Sequence, residues 1–156
     1  IIDDILISYS EHEKKIQIKK SLDPNLAQLT IDPEQIRRVL INLFENATDA
    51  IDEGGIIQIT TKILEGKKWV RIEFSDNGAG ISSSDREKLF LPHFTTKKRG
   101  TGLGLAIVNR IIIDHNGTIK VQDNYPKGTT FIIDLPYSQT TLKTDNTLPE
   151  SVSRIS

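Results

Sequence analysis

The fold is decided by residues 32–76, DPEQIRRVLINLFENATDAIDEGGIIQITTKILEGKKWVRIEFSD, which contain a helix pattern followed by two strand patterns. Asp32 is a good helix N-cap, and Pro33 suits the first helical position because its fixed φ is already helical. Apolar side chains then recur every three to four residues, so we predict a helix that ends near Ile51. The two β-branched runs within residues 56–76 predict a β-hairpin.

The order of the remaining predicted elements favours an α/β fold with two layers. Helices interspersed with strands in this way bury one face of a sheet. We therefore expect a mixed, mainly antiparallel sheet of about five strands, covered on one face by about three helices. The further predicted elements are helices over 1–13, 82–90 and 103–115 and strands over 14–22, 118–124 and 128–136.

The composition changes near the C-terminus. We expect residues 1–136 to form a single domain, because they hold all the predicted helices and strands. Residues 137–156 are rich in Ser and Thr and lack apolar periodicity, so we expect a disordered tail there. The chain starts with Ile within an apolar-periodic stretch, and we therefore expect it to be a piece of a longer protein.

Charge and composition exclude several classes of function. The 156 residues include 20 Lys and Arg against 21 Asp and Glu, a formal net charge of -1. This balance argues against broad electrostatic binding to nucleic acid or to an anionic membrane. The absence of cysteine excludes disulfides, thiolate zinc sites and thiol nucleophiles. The longest apolar runs are far too short to span a bilayer.

Three polar side chains lie on one face of the long predicted helix, opposite its apolar stripe. They are Asn42, Asn46 and Asp49, at spacings i, i+4 and i+7. Asparagine is unfavourable within a helix because its amide competes for backbone hydrogen bonds. One interpretation is that an amide oxygen binds Mg²⁺ while phosphates and water complete the coordination. The other is an ordinary solvated face.

The segment DNGAG, residues 76–80, follows a predicted strand. Asn-Gly is typical of a hairpin turn. However, the next segment, ISSSDREKLF, begins like a helix rather than a returning strand. A carboxylate at a strand end, followed by glycines that allow close approach of a ligand, also suits a ring that carries an amine donor. Both interpretations stay open at this point.

The segment RGTGLGL, residues 99–105, stands at a predicted helix start. Glycines there expose backbone N–H groups, and the helix dipole favours an anion at the same place. The spacing differs from the dinucleotide fingerprint G-x-G-x-x-G and from a P-loop. We therefore predict a phosphate-binding segment, with a flexible linker as the alternative. Positive charge from Lys97, Lys98 and Arg99 adjoins it.

The motifs LFENATDA, DNGAG, LFLPHFTTK, GTGLGL and GTTFII follow one another in this order over about 90 residues. With them the chain resembles the ATP-binding catalytic domain of sensor histidine kinases. That domain shares a superfamily with type II topoisomerases, heat-shock protein 90 and mismatch-repair ATPases. The TTK-x₂-GTGLGL form and the NAxDA ending are most similar to nitrogen-regulation-type sensor kinases.

The resemblance implies that the domain binds ATP and Mg²⁺ and donates the γ-phosphate to a histidine. That histidine would lie on a separate helical dimerisation domain of the same protein, outside this chain. A response regulator would be the downstream partner. The implied location is cytoplasmic, with no nucleic-acid partner and no direct membrane contact by this chain.

At the phosphate end, the resemblance implies that Asn46 binds Mg²⁺ and that Asn42 faces the phosphates or their water shell. Lys97 would contact the γ-phosphate, and residues 90–97 would continue into a mobile lid over the nucleotide. Asn42 and Lys97 are therefore the implied catalytic residues. The implied phosphate cradle consists of Gly100, Thr101, Gly102, Leu103, Gly104 and Leu105.

At the adenine end, the resemblance implies that Asp76 accepts a hydrogen bond from the exocyclic amine. Gly78 and Gly80 would let the ring lie close, and Ile81 would pack on it. Thr129, in the last motif, would join the hydrogen bonds on this side, directly or through water.

Some positions depart from the family pattern. Many members carry a basic residue near position 49 that contacts phosphate, whereas this chain has Asp49, so the contact must come from elsewhere, with Lys97 as the candidate. His93 replaces a common aromatic, and we expect it to pack in the lid. We expect His115 to act as a helix cap. His12 does not match the phosphoacceptor motif.

Three other functions compete with the histidine kinase. Hydrolytic members of the superfamily place a glutamate base where this chain has Asn42, and an amide cannot take up a proton near neutral pH. Glu45 would point roughly 100° away from Asn46 on an ideal helix and is a poor substitute. A non-catalytic nucleotide-binding interaction module is the third possibility, and a serine kinase of the same superfamily is the fourth.

Overall fold

The computed structural model describes residues 2–3, 16–26, 29–52, 54–64, 66, 68–96 and 100–137. The predicted helix over 1–13 lies almost entirely outside these residues. The described elements alternate as the sequence predicts. They are β1 Gln17–Ser21, α1 Pro33–Ala50, β2 Ile56–Ile63, β3 Trp69–Asp76, α2 Ser83–Arg86, α3 Gly104–Asp114, β4 Thr118–Asp123 and β5 Thr129–Pro136.

The five described strands form one mixed sheet in the order β1-β2-β3-β5-β4. β1 runs parallel to β2, and the other neighbouring pairs are antiparallel. The predicted hairpin is the β2–β3 pair, and β5 inserts next to β3 so that β4 becomes an edge strand. β1 is more exposed than the half-buried strand that its alternating pattern predicts. The expected α/β sandwich is confirmed.

Helix α1 forms as its local signals predict. The backbone of Asp32 is extended, and its side chain accepts hydrogen bonds from the N–H groups of Glu34 and Gln35 at 3.0 and 3.2 Å. Pro33 occupies the first turn. The apolar stripe then packs on the sheet, and Phe44 meets Phe74 edge-on with ring centroids 4.9 Å apart. The buried stripe consists of Ile36, Val39, Leu40, Leu43, Phe44 and Ala47.

The helices cover a single face of the sheet. Alternate strand side chains on that face are buried with the helices, whereas the opposite face carries polar pairs such as Arg71–Asp134, joined by two hydrogen bonds of 2.7 Å. This division follows from the period-two alternation of the strands. The buried apolar strand residues on that face are Ile57, Ile59, Val70, Ile72, Phe74, Phe131, Ile133 and Leu135.

His115 ties the C-terminal end of α3 to the N-terminal end of α1. Its Nε2 accepts a hydrogen bond from the backbone N–H of Asp32 at 3.0 Å. The other ring nitrogen, Nδ1, therefore carries the proton and donates it to the carbonyl oxygen of Ile111 at 2.8 Å. Asn116 follows with a φ of 55° and ends the helix. The expected capping role of His115 is confirmed.

The clearest differences from the prediction are the length of α2 and the C-terminal end of the folded part. α2 covers only four residues, capped by Ser82, and turns replace the rest of the expected helix. Tyr137 is buried, and its N–H donates to the carbonyl oxygen of Lys68 at 2.7 Å, so the folded part continues at least one residue beyond 136. The tail over 138–156 lies outside the described residues. None of the described helices is long and apolar enough to cross a membrane.

Candidate functional site

A cavity of about 990 Å³ opens between α1, the loop after β3 and the start of α3. Its volume is that of a typical small-molecule site. The cavity collects most of the residues that the sequence analysis singled out. These are Asn42, Asn46, Asp76, Gly80, Ile81, Gly100, Thr101, Gly102, Leu103, Gly104, Leu105 and Thr129.

Asp76 forms the polar end of this cavity and is only 3% exposed. One carboxylate oxygen, Oδ1, accepts hydrogen bonds from the N–H groups of Gly78 at 2.8 Å and Thr129 at 3.3 Å. Burial raises the pKa of the Asp76 carboxyl above its ordinary value, and these two hydrogen bonds oppose the rise. Among the described residues, Oδ2 has no hydrogen-bond donor, so it can accept one from a ligand.

Gly78 has a packing role that the sequence analysis did not predict. A Cβ there would lie 2.6 Å from the carbonyl oxygen of Ala50, the last residue of α1. Ala79 donates its N–H to that same oxygen at 2.9 Å. Gly78 therefore lets the loop pack against the end of α1 and is not among the described residues that border the cavity. Gly80 does border it, with a φ of +82° that favours glycine.

Two further residues hold the Asp76 backbone and were missed by the sequence analysis. Gly128 approaches so closely that a Cβ would lie 2.0 Å from the carbonyl oxygen of Asp76. The side-chain amide of Asn124 donates to the same oxygen at 2.8 Å. Gly128 opens the GTTFII motif, which was the available signal. These contacts fix the strand end from which the buried carboxylate projects.

The opposite end of the cavity is the start of α3. Leu103 occupies the N-cap position and makes no side-chain capping bond, so the first N–H groups of α3 remain available to an anion. A Cβ on Gly104 would lie 2.6 Å from Oδ1 of Asn42. The Asn42 side chain is held there, because its Nδ2 donates to the carbonyl oxygen of Arg38 at 2.8 Å.

Two described residues on either side of the predicted lid, His93 and Gly102, are joined by a hydrogen bond. His93 donates its N–H to the carbonyl oxygen of Gly102 at 2.9 Å, and both residues have positive φ, 66° and 67°. A Cβ on Gly102 would lie 2.4 Å from the carbonyl carbon of His93. Phe94, Thr95 and Thr96 border the cavity. The predicted contact residue Lys97 lies outside the described residues.

The α1 face of the cavity offers oxygen atoms to a hard cation. Asn46 borders the cavity with the carboxylates Glu45 and Asp49. Within the described ranges, no three His, Cys, Asp or Glu side chains are grouped to hold a metal ion. Mg²⁺ usually keeps several waters and is bound through one or two protein oxygens together with substrate phosphates. The donor set therefore fits a Mg²⁺ ion that arrives with a polyphosphate.

Arg38 is a cavity residue that the sequence analysis missed. It precedes Asn42 by four residues, so the helical spacing that relates Asn42 to Asn46 was the available signal. Glu45 also borders the cavity, although ideal helix geometry predicts that it points away from Asn46. Among the described lining residues, four are acidic and Arg38 alone is basic. The charged lining residues are Arg38, Glu45, Asp49, Asp76 and Asp85.

Comparison with known sequences identifies relatives of this chain. The sequence model of the family described as histidine kinase-, DNA gyrase B- and HSP90-like ATPase matches residues 31–139. The sensor histidine kinase ZraS of Escherichia coli (strain K12) is 38% identical over 135 residues, which cover 86% of this chain and 29% of ZraS. The sensory histidine kinase/phosphatase NtrB of Vibrio alginolyticus is 36% identical over 136 residues, covering 81% of this chain and 39% of NtrB. The chain therefore spans less than half the length of these relatives.

Solved structures of a histidine kinase are also similar to this chain. The nucleotide-free catalytic domain of histidine kinase ThkA superposes with a TM-score of 0.78 at 34% identity and covers 87% of this chain and 91% of that domain. Histidine kinase ThkA in complex with response regulator protein TrrA superposes with a TM-score of 0.73 at 31% identity, covering 88% of this chain and 39% of that one. The resemblance inferred from the motifs is confirmed.

Proposed function

We propose that this chain, which belongs to the histidine kinase-, DNA gyrase B- and HSP90-like ATPase family, binds Mg-ATP as the catalytic domain of a sensor histidine kinase. It would donate the γ-phosphate to a histidine on a separate helical dimerisation domain. One observation carries the proposal: a buried carboxylate, Asp76, and the open N-terminus of α3 face a single cavity. A purine with a polyphosphate chain has matching groups at its two ends.

Asp76 is the proposed adenine contact. Its Oδ1 is already used by two backbone N–H groups, which leaves Oδ2 to accept a hydrogen bond from the exocyclic amine. Such a bond to a carboxylate in a dry environment is stronger than a neutral one. Ile81 and Gly80 border the same end of the cavity and would contact the ring. Thr129 supports this arrangement from β5 through its N–H.

The phosphates are proposed to lie between α1 and the start of α3. Asn46 would bind Mg²⁺ through its amide oxygen, with the phosphates supplying further ligands. Mg²⁺ neutralises charge that develops during phosphoryl transfer. The N–H groups at the start of α3, and the glycine-rich segment before it, would hold phosphate oxygens in line for the acceptor. Lys97 stays a proposed γ-phosphate contact.

Transfer rather than hydrolysis is favoured by Asn42. Its side chain is fixed beside Gly104, where hydrolytic members of the superfamily have a glutamate base, and its amide cannot activate water. In the transfer, a ring nitrogen of the acceptor histidine bonds to the γ-phosphorus. The bond from that phosphorus to the bridging oxygen breaks, and ADP leaves with the electron pair. The proton of the histidine passes to solvent or to a base on the acceptor domain.

The proposed partners follow from the kinase function. The phosphorylated histidine would pass its phosphoryl group to a response regulator, and the ThkA–TrrA complex supports that class of partner. The acceptor domain would belong to the same protein as this chain. The proposed location is the cytoplasm, where ATP is available. We propose that the chain contacts neither nucleic acid nor the membrane, in keeping with its balanced charge.

The test uses ATP labelled on the γ-phosphate, mixed with this chain and purified histidine-containing helical domains. We expect an acid-labile label on the acceptor domain and none on the same domain with its histidine replaced by Gln. Released phosphate without labelled protein would select the hydrolytic alternative. In that case Glu45→Gln, which removes the carboxylate bordering the cavity, identifies the base if phosphate release falls. Failure to bind ATP would contradict the proposal.

A further inference from the structure

We infer that Arg38 is a contact for the terminal phosphate of ATP, a role that rests on the proposed function. The resemblance implied a basic phosphate contact near position 49, but this chain has an acidic residue there. Asp49, on α1, borders the cavity with its carboxylate. Arg38 lies on the same helix and borders the same cavity, but three turns nearer the N-terminus. The chain would thus supply positive charge from another turn of α1.

Helix α1 orders the cavity from its adenine end to its phosphate end. Ala50 contacts the loop that carries the adenine site, through the hydrogen bond from Ala79. Asn42, two turns earlier, contacts the start of α3 at Gly104. Arg38 lies one turn beyond Asn42, about 18 Å along the axis from Ala50 at 1.5 Å per residue. Its position is therefore at the end of the cavity that is remote from Asp76.

The cavity is lined by more acidic than basic side chains, so a cation in it would offset repulsion of a bound polyphosphate. Glu45, Asp49, Asp76 and Asp85 border the cavity, and ATP brings further negative charge on its phosphates. Mg²⁺ offsets part of this repulsion. Arg38 is the one cationic side chain among the described residues that line the cavity. A guanidinium group can give two parallel hydrogen bonds to a phosphate, which fixes orientation as well as charge.

The Arg38 side chain is available for such a contact. It is exposed, and within the described part of the chain its guanidinium group makes no hydrogen bond or ion pair; only its backbone carbonyl is engaged, by Asn42. Neighbouring Arg37 differs, since its Nε lies 3.8 Å from a carboxylate oxygen of Glu34. Arg37 is not among the residues that border the cavity. Arg38 is therefore the position to test, and the adjacent Arg37 is its matched control.

The experiment measures the affinities of ATP, ADP and AMP by calorimetry in the presence of Mg²⁺. For Arg38→Gln we expect ATP affinity to fall about tenfold, because a charge-assisted hydrogen bond to the last phosphate is lost. ADP and AMP affinities should stay within about twofold of wild type, since those nucleotides lack the γ-phosphate. Arg38→Lys should keep part of the ATP affinity, and Arg37→Gln should leave all three affinities unchanged.

Several outcomes would overturn the inference. Unchanged ATP affinity in Arg38→Gln, or an equal weakening of ATP, ADP and AMP, excludes a terminal-phosphate contact. An equal loss of ATP affinity in Arg37→Gln would show that positive charge on α1 acts at a distance, without a specific contact from Arg38. Thermal unfolding of the variants separates a binding defect from misfolding. A wild-type chain that binds none of the three nucleotides would instead refute the proposed function itself.

Discussion

Replacing Asp76 by Asn should weaken ATP binding without weakening the ligand-free fold. In the structure, Oδ1 accepts the N–H groups of Gly78 and Thr129, and an Asn side chain can keep both bonds through its own oxygen. Its NH₂ group then takes the place of Oδ2 and directs a donor at the donor amine of adenine. The lost charge-assisted hydrogen bond is worth about 1.5–3 kcal/mol, which lowers affinity by at least about tenfold.

The stability of the ligand-free protein should change in the opposite direction. Burial raises the pKa of Asp76, so the folded state binds its proton more tightly than the unfolded state does. The wild-type protein therefore loses stability as the pH rises from the unfolded value, near 3.8, through the raised folded value. Above that window the cost of the buried charge is fully present. The side-chain amide of the Asp76→Asn variant carries no charge, so this variant should unfold at an equal or higher temperature at pH 7.

The assay combines calorimetry of ATP binding with thermal unfolding at pH 7 and at a pH below 3.8. The difference in stability between wild type and Asp76→Asn should shrink at the acidic pH, where the carboxyl is protonated in both states. Asp114→Asn, at the far end of α3, is the matched control and should bind ATP normally. Unchanged ATP affinity in Asp76→Asn would refute the adenine assignment. Weaker ATP binding together with a lower unfolding temperature at pH 7 would mean that the substitution damages the fold. The loss of affinity would then contradict the explanation that only the acceptor oxygen Oδ2 has been removed.

Three further substitutions test other parts of the site. Asn46→Ala should weaken Mg-ATP far more than metal-free ATP in calorimetry, because it removes the proposed metal ligand; equal losses would contradict that role. Gly102→Ala should destabilise the fold by roughly 1–2 kcal/mol in thermal unfolding, since its φ is +67° and its Cβ would meet the His93 backbone, and an unchanged midpoint would count against this packing. His115→Ala should cost about 0.5–1.5 kcal/mol in urea unfolding, because the hydrogen bond between the exposed N–H of Asp32 and the ring is lost; a value near zero would mean that water replaces the ring.

Local signals in the sequence predicted the elements well. Asp32 and Pro33 marked the start of α1, and the structure shows the predicted N-cap bonds. The predicted helix over 103–115 ends where Asn116 takes a positive φ, a conformation that asparagine tolerates. These signals depend on residues within one helical turn, so no knowledge of distant contacts is needed. The length of α2 was overestimated, because Ser82 fixes its start but no comparable cap fixes its end.

Contacts between distant residues were beyond the sequence analysis. The contact of Gly78 with the carbonyl oxygen of Ala50, which leaves no room for a side chain, is one that the sequence analysis did not predict. The same holds for Gly128, which packs on the backbone of Asp76 from a distant part of the chain. The position of β5 next to β3 creates that contact, and periodicity alone does not give strand order. Motif order identified the site, whereas the packing that supports it required the structure.

The two ends of the cavity depend on different parts of the fold. The proposed adenine end is fixed by the contact of Gly128 with the backbone of Asp76 and by that of Gly78 with Ala50, the last residue of α1. The phosphate end depends on how α3 lies along α1, which is set by His115 at one end of α3 and by the approach of Gly104 to Asn42 at the other. A shift of α3 along α1 would therefore move the N–H groups that we propose bind phosphate while leaving the proposed adenine contacts intact. A mutation can therefore change the affinity for the phosphates without changing the affinity for adenine. Comparing the affinities of ATP and AMP in the same variant measures this difference.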